Sequence, residues 1–317
     1  ALVKKNEIEN AEGVYKEMNR RRVQLDLFSF NTMINGYCKV GKLSKAGDLV
    51  EDIKVWGVFP NVVTYNTLID GYCKMGKAGK MYKADVLLKE MVSSNIVANE
   101  VTFNILIDGY CKDENVGAAM KLFEELKNRK DSRPNVITYN YILNGLCCQG
   151  KLDEALELQK DMEGNREGAS KLLDKMKDKG VRPDLITYNI LIGALCRKGE
   201  SRKAVKLLNE MLEMGLSPSH LTYNTLIDGY CGGGNLAAAL NTRTQMEREG
   251  KRANVVTYNV LIKGLCQKGK MEEANGLLNE MLEKGLVPNR ITYDVIRDEM
   301  VERGFVPDID GHLYGGV

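Results

Sequence analysis

Histidine is almost missing from this 317-residue chain: there are two, His220 and His312, far apart in sequence. A Ser/His/Asp set has little to draw on, and no P-loop or Gly-rich dinucleotide fingerprint is visible either. Proline is scarce, at six, and the balance of 44% hydrophobic and 28% charged residues argues against disorder. No stretch approaches the roughly 18 apolar residues that a membrane span needs. An excess of charge is absent too: 45 Lys and Arg against 43 Asp and Glu leave a net of +2, less than a phosphate-gripping duplex-DNA binder usually carries. Eight Cys are present without a CxxC pair, so the common zinc and redox spacings are lacking. No secretory or transit segment opens the chain; ALVKKNEIEN reads as mid-helix, as a mature or truncated fragment would.

What the sequence does have is a period. The blocks LFSFN (27–31), VVTYN (62–66), EVTFN (100–104), VITYN (136–140), LITYN (185–189), HLTYN (220–224) and VVTYN (255–259) start at intervals of 35, 38, 36, 49, 35 and 35 residues, and RITYD follows 35 later at 290–294. A fixed period near 35 is the mark of stacked supersecondary units. Each unit is helical twice. Tyr65, Leu68, Ile69, Tyr72 and Cys73 make one apolar stripe (helix A), with Thr64 expected as its N-cap and Gly76 as its stop. Ala274, Leu277, Leu278 and Met281 make another (helix B), ended by Gly285 and Pro288. Neither helix can bury its face alone. The expected fold is an all-α, right-handed α-solenoid of tandem 35-residue helix–turn–helix repeats. It covers residues 1–308: a partial repeat 1–26, repeats 27–61, 62–99, 100–135, an irregular 136–184, 185–219, 220–254 and 255–289, a partial repeat 290–308, and a tail 309–317.

Two positions inside helix A recur. Gly36, Gly71, Gly109, Gly145, Gly229 and Gly264 sit mid-helix, with Ala194 the exception. A helix-interior Gly costs roughly 1 kcal/mol against Ala, so its recurrence implies close approach between helices. Cys38, Cys73, Cys111, Cys147, Cys196, Cys231 and Cys266 fall at one place on the apolar stripe, where they behave as small buried hydrophobes; only Cys148 is extra. No metal site or other cofactor is expected. The three extra residues of the 38-residue interval belong near 77–80. The 49-residue interval reads as two repeats lacking one helix A, because LDEALELQKDM (152–162) and REGASKLLDKM (166–176) both look like helix B.

The period, the TYN start, the GYC or GLC block of VVTYNTLIDGYCKMG (62–76) and the closing NEMLEKGLVPN (279–289) resemble the pentatricopeptide repeat family. The plain 35-residue units resemble its P class. The resemblance implies a plant organellar protein, mitochondrial or alternatively plastid, that binds single-stranded RNA at about one base per repeat. It would act by occupancy in RNA stability, processing or translation, as a monomer off the membrane, with other organellar RNA-processing proteins as possible partners. No HxE followed by CxxC occurs, so the chain is not expected to edit bases, or to be an enzyme. The rival class is a tetratricopeptide-like protein-binding scaffold, whose Trp-led consensus is absent.

Repeat positions 5, 9 and 13 share a face of helix A apart from the packing stripe. Position 5 is Asn in all seven units: Asn31, Asn66, Asn104, Asn140, Asn189, Asn224 and Asn259. A carboxamide has a donor and an acceptor for a base edge; it also suits a first helical turn. The resemblance makes the last residue of each repeat the second base-reading position: Asn61, Asn99, Asn135, Asp184, Ser219, Asn254 and Asn289, all residue types that also serve in turns. It makes the apolar position 2 a wedge between bases, at Phe28, Val63, Val101, Ile137, Ile186, Leu221 and Val256, where periodicity alone would see a hydrophobic staple. Position 13 offers Lys39, Lys74, Lys112 and Arg197 to phosphates, a pattern from which Cys148, Gly232 and Gln267 depart.

Overall fold

A computed structural model describes residues 8–21, 23, 25–75, 80–129, 131–150 and 182–302. Gly76, the insertion apart from Lys80, the two B-like segments at 152–162 and 166–176, and the tail lie outside these residues. The described residues form fifteen helices and no strand. The chain divides into two compact units, Ala1–Arg182 and Pro183–Val317.

In the first unit α1 (Ile8–Arg20), α3 (Leu43–Val55), α5 (Lys80–Ser93) and α7 (Val116–Asn128) are helices B. They alternate with the A helices α2 (Leu27–Lys39), α4 (Val62–Lys74), α6 (Glu100–Lys112) and α8 (Val136–Cys148). In the second unit the A helices are α9 (Leu185–Arg197), α11 (His220–Gly232), α13 (Val255–Gln267) and α15 (Arg290–Glu302). Their B partners are α10 (Ser201–Glu213), α12 (Leu236–Arg248) and α14 (Met271–Glu283). Within each unit successive A helices pack on one another and on their own B helices, while each B helix touches the next A more lightly. Each unit is therefore a stretch of α-solenoid, held by nearest-neighbour interfaces.

The cap of helix A differs from the sequence expectation. Helix α4 begins at Val62, and its N-cap is Asn61, whose side chain accepts from the Val63 and Thr64 amides. Thr64 is the third helical residue, and its hydroxyl accepts from the Asn61 backbone N–H in a capping box. The same box recurs at Asn99, Asn135, Asp184, Ser219 and Asn254. An N-cap has extended backbone and precedes the first helical residue, and position 35 meets that description where Thr64 does not.

The recurrent glycine and cysteine prove to be two halves of one contact. A Cβ placed on Gly71 would lie 2.5 Å from Cys38 Sγ, one on Gly109 2.5 Å from Cys73 Sγ, and one on Gly145 2.5 Å from Cys111 Sγ. In the second unit a Cβ on Gly229 would lie 2.6 Å from Cys196 Sγ, and Gly264 faces Cys231 in the same way. These five A helices thus seat their glycine on the thiol of the preceding repeat, and there the propensity cost of Gly is offset by a close layer that a Cβ would disturb. Burial pushes the thiols of Cys38, Cys73 and Cys111 up to about 12 and those of Cys196 and Cys231 to about 11, so they stay protonated and unreactive. Cys38 and Cys196 are half-buried, and Cys148 is exposed. The rest of the layer is aromatic and aliphatic: Tyr65, Leu68 and Ile69 in α4 and Tyr258, Leu261 and Ile262 in α13 are all at most 1% exposed. Trp56 is half-buried against the core of the first repeat.

Candidate nucleic-acid interface

Because helix A starts one residue after position 35, positions 35, 2 and 5 lie within the first two turns of one helix end. Position 2 points outward. Phe28 is 79% exposed, Val63 53%, Val101 52%, Ile137 48%, Ile186 58%, Leu221 62% and Val256 53%. A hydrophobic staple would be covered, and these side chains are not. Scattered exposed apolar residues need no explanation, but here one recurs at the same place in all seven repeats.

Beside this row the position-5 amides are held in place. Asn66, Asn104, Asn140, Asn224 and Asn259 are buried, and Asn31 and Asn189 are half-buried. In six repeats the Asn oxygen accepts from the threonine hydroxyl three residues into the next helix A. Thr64 donates to Asn31 at 2.8 Å, Thr102 to Asn66 at 2.8 Å and Thr138 to Asn104 at 2.6 Å. Thr222 donates to Asn189 at 2.6 Å, Thr257 to Asn224 at 2.8 Å and Thr292 to Asn259 at 2.6 Å. All six threonines are fully buried. Sequence reasoning gave these threonines only a capping part, though their recurrence in TYN was the signal.

The two residues of a pair meet across the repeat boundary. Asn66 Nδ2 donates to Asn99 Oδ1 at 3.4 Å, and Asn259 Nδ2 to Asn289 Oδ1 at 3.2 Å. Thr138 Oγ1 lies 2.6 Å from Asn104 Oδ1 and 3.2 Å from Asn135 Oδ1, so it sits between the members of a third pair. Asn135 Nδ2 also donates to Glu100 Oε1, an acidic neighbour the sequence reading passed over. Asn140 belongs to the first unit and Asp184 to the second.

Position 13 is exposed at Lys39, Lys74, Lys112 and Arg197. Two of these cations are already paired one turn back, Lys74 with Asp70 at 2.5 Å and Lys112 with Asp108 at 2.5 Å. Burial pulls the Lys112 ammonium down, but the Asp108 carboxylate more than offsets this and holds it above the ordinary lysine range. No group of three His, Cys, Asp or Glu able to hold a metal occurs among the described residues, and no helix there is long and apolar enough to cross a membrane.

Family models tile the chain with little interruption. The model described as the PPR repeat family matches residues 1–39, 25–74, 163–197, 183–232, 219–267 and 253–298, and PPR repeat models match 63–96, 94–127 and 130–163. The chain belongs to the pentatricopeptide repeat (PPR) family. A chloroplastic PPR-containing protein of Arabidopsis thaliana is 40% identical over 55 residues, which is 17% of this chain and 7% of that one. Among solved structures the PPR protein PPR10, in complex with an 18-nucleotide psaJ RNA element, has a TM-score of 0.74 at 23% identity, over 95% of this chain and 44% of that one. A second PPR10–psaJ complex gives 0.56 at 24% identity, over 94% and 47%. These likenesses bear out the PPR solenoid fold, and the chain spans less than half of those PPR proteins.

Proposed function

We propose that this PPR chain is a sequence-selective binder of single-stranded RNA, reading about one base per repeat and acting by occupancy. The observation that carries this is the alignment, repeat after repeat, of an exposed apolar side chain at position 2 with a fixed amide at position 5 and a partly exposed polar residue at position 35. The apolar row offers stacking to any base, and the polar pairs offer hydrogen bonds to its edge. PPR10 bound to RNA is a structural neighbour that supports the same use of the fold.

Cap duty limits what the position-35 residues have left to offer a base. Asn254 Oδ1 accepts from the Thr257 amide at 3.0 Å, which leaves its NH2 as the group to offer. Ser219 Oγ accepts from the Thr222 amide at 3.2 Å and lies 3.1 Å from the Thr222 hydroxyl oxygen. Asp184 accepts from the Thr187 amide at 2.9 Å, and whatever a carboxylate offers can only accept. The resemblance to the family implies the pairing itself: Asn with Asn goes with pyrimidines, Asn with Ser mainly with C, and Asn with Asp with U. From the amino end the seven repeats then read pyrimidine–pyrimidine–pyrimidine–U–C–pyrimidine–pyrimidine.

The chloroplastic relative weights the compartment toward the plastid over the mitochondrion, with organellar RNA-processing proteins as partners. The net charge of only +2 keeps a second reading in view, a protein-binding scaffold. Filter binding at one stated salt concentration separates the two. A pyrimidine-rich single strand is expected to bind more tightly than a purine-rich one of equal length, and both more tightly than duplex. Equal affinity for the two strands counts against base reading, and no binding to either favours the scaffold.

A further inference from the structure

We propose that the buried threonine of six A helices (α4, α6, α8, α11, α13 and α15) is a positioning residue for the repeat before it, holding the position-5 amide with its NH2 toward the bases. The inference rests on the RNA-binding reading above and adds to it a residue that touches no base.

A threonine hydroxyl has one proton to give. Thr102 Oγ1 accepts from the Asn99 backbone N–H at 3.2 Å, and it has two possible acceptors: Asn66 Oδ1 at 2.8 Å and Asn99 Oδ1 at 3.1 Å. The nearer oxygen takes the proton, and Asn99 Oδ1 is already supplied by the Thr102 amide at 3.1 Å. The same ordering holds at Thr64, with 2.8 Å to Asn31 against 3.3 Å to Asn61, and at Thr292, with 2.6 Å to Asn259 against 3.1 Å to Asn289. It holds at Thr257, with 2.8 Å to Asn224 against 3.1 Å to Asn254.

A second contact fixes the same orientation. Asn66 Nδ2 and Asn259 Nδ2 face the cap oxygens of Asn99 and Asn289. Turning either amide over would set two carbonyl oxygens against each other and leave the threonine proton facing an NH2. With its oxygen held, the amide presents a donor, which matches the O2 acceptor common to C and U. An amide free to turn also presents its oxygen, which matches N–H donors such as those of guanine. A repeat is therefore not self-contained: its base preference depends on the first turn of the next one.

The test uses the full chain with Thr257→Val, which removes the hydroxyl at nearly constant volume, and Thr257→Ser, which keeps it. Thr64→Val repeats the test in the first unit and stands in if Thr257→Val fails to fold. Each is titrated with a pyrimidine oligomer and with versions carrying one purine at each position in turn. In the wild type a purine is expected to weaken binding wherever it stands. Thr257→Val should lose about fivefold of that penalty at a single base, the one read by Asn224, and Thr257→Ser should retain it. An unchanged penalty at every position, a uniform affinity loss with the pattern intact, or a serine variant no better than valine would overturn the proposal. A wild type indifferent to every purine, or binding no RNA, would instead sink the reading on which it rests.

Discussion

Repeats 62–99 and 100–135 in the first unit and repeats 220–254 and 255–289 in the second carry the same asparagines, threonine locks and exposed apolar row, but not the same charge. In the first unit position 9 is Asp70 and Asp108, and each neutralises the lysine four residues on. In the second, position 9 is Asp228 and then Lys263, both exposed, and position 13 is Gly232 and Gln267. The geometry of positions 2, 5 and 35 is copied from repeat to repeat because the capping box and the stack demand it. The charged rows make no such contacts and drift. On the proposed reading, a count of cations overstates the hold on a backbone, and the exposed apolar row is the feature that each unit carries.

The largest expected effect tests that sharing. Val63→Ala with Val101→Ala in the first unit should cost RNA affinity as much as Leu221→Ala with Val256→Ala in the second. Removing methyl groups that a base covers is worth about 1 kcal/mol per site, or roughly 30-fold for each pair. These side chains are exposed in the protein alone, and helix content by circular dichroism should be unchanged. A loss confined to one pair would break the comparison and show that only that unit engages RNA.

A smaller effect sharpens the difference. Asp70→Asn with Asp108→Asn releases Lys74 and Lys112, and affinity at low salt should rise several-fold. If both lysines then reach phosphates, the slope of log K against log salt should steepen by about 1.4, at roughly 0.7 per phosphate for a single strand. The ion pairs are partly exposed, so the fold should lose less than about 1 kcal/mol. Asp228→Asn in the second unit has Gly232 in place of a lysine one turn on and serves as the control, with its slope unchanged. An unaltered slope in the double variant would remove both lysines from the interface.

Much of this was legible in the sequence, for a physical reason. The helical periodicity, the Gly–Cys layer and the asparagine row follow from contacts that every regular repeat must make, so repetition itself exposes them. Thr64 was misplaced as the N-cap because Thr and Asn both cap helices, and only the backbone tells that α4 begins at Val62. The Thr–Asn lock joins residues 33 to 36 apart across a repeat boundary, and reading one repeat at a time divides it. The Asp70–Lys74 and Asp108–Lys112 pairs have ordinary i,i+4 spacing, but the phosphate reading considered the lysines without their partners. The Asn135–Glu100 bond spans a whole repeat and has no periodic counterpart to reveal it.

The smallest expected effect lies at the turns between helices A and B. In both units this turn needs one residue in the left-handed region, and it is glycine at Gly41 (φ 75°), Gly150 (66°), Gly199 (77°), Gly234 (76°) and Gly269 (75°). Among the described residues the first unit departs from glycine at Glu114, with φ 59°. A side chain there costs roughly 1–2 kcal/mol, and part of any relief from glycine is returned as unfolded-chain entropy. Glu114→Gly should therefore stabilise the first unit by at most about 1 kcal/mol. The Glu114 carbonyl that accepts from the Gln149 side chain belongs to the backbone and is retained. The measurement is amide exchange in α6 and α7, which should slow, against α11 and α12, which should not change, because a solenoid shares stability mainly between neighbours. Asn95→Gly, at φ 57° in a turn where asparagine is tolerated, should give less than Glu114→Gly. The reverse change in the second unit, Gly234→Glu, should speed exchange in α11 and α12 and make the two units alike in this respect. Equal slowing in both units after Glu114→Gly would mean that they unfold as one block rather than as two.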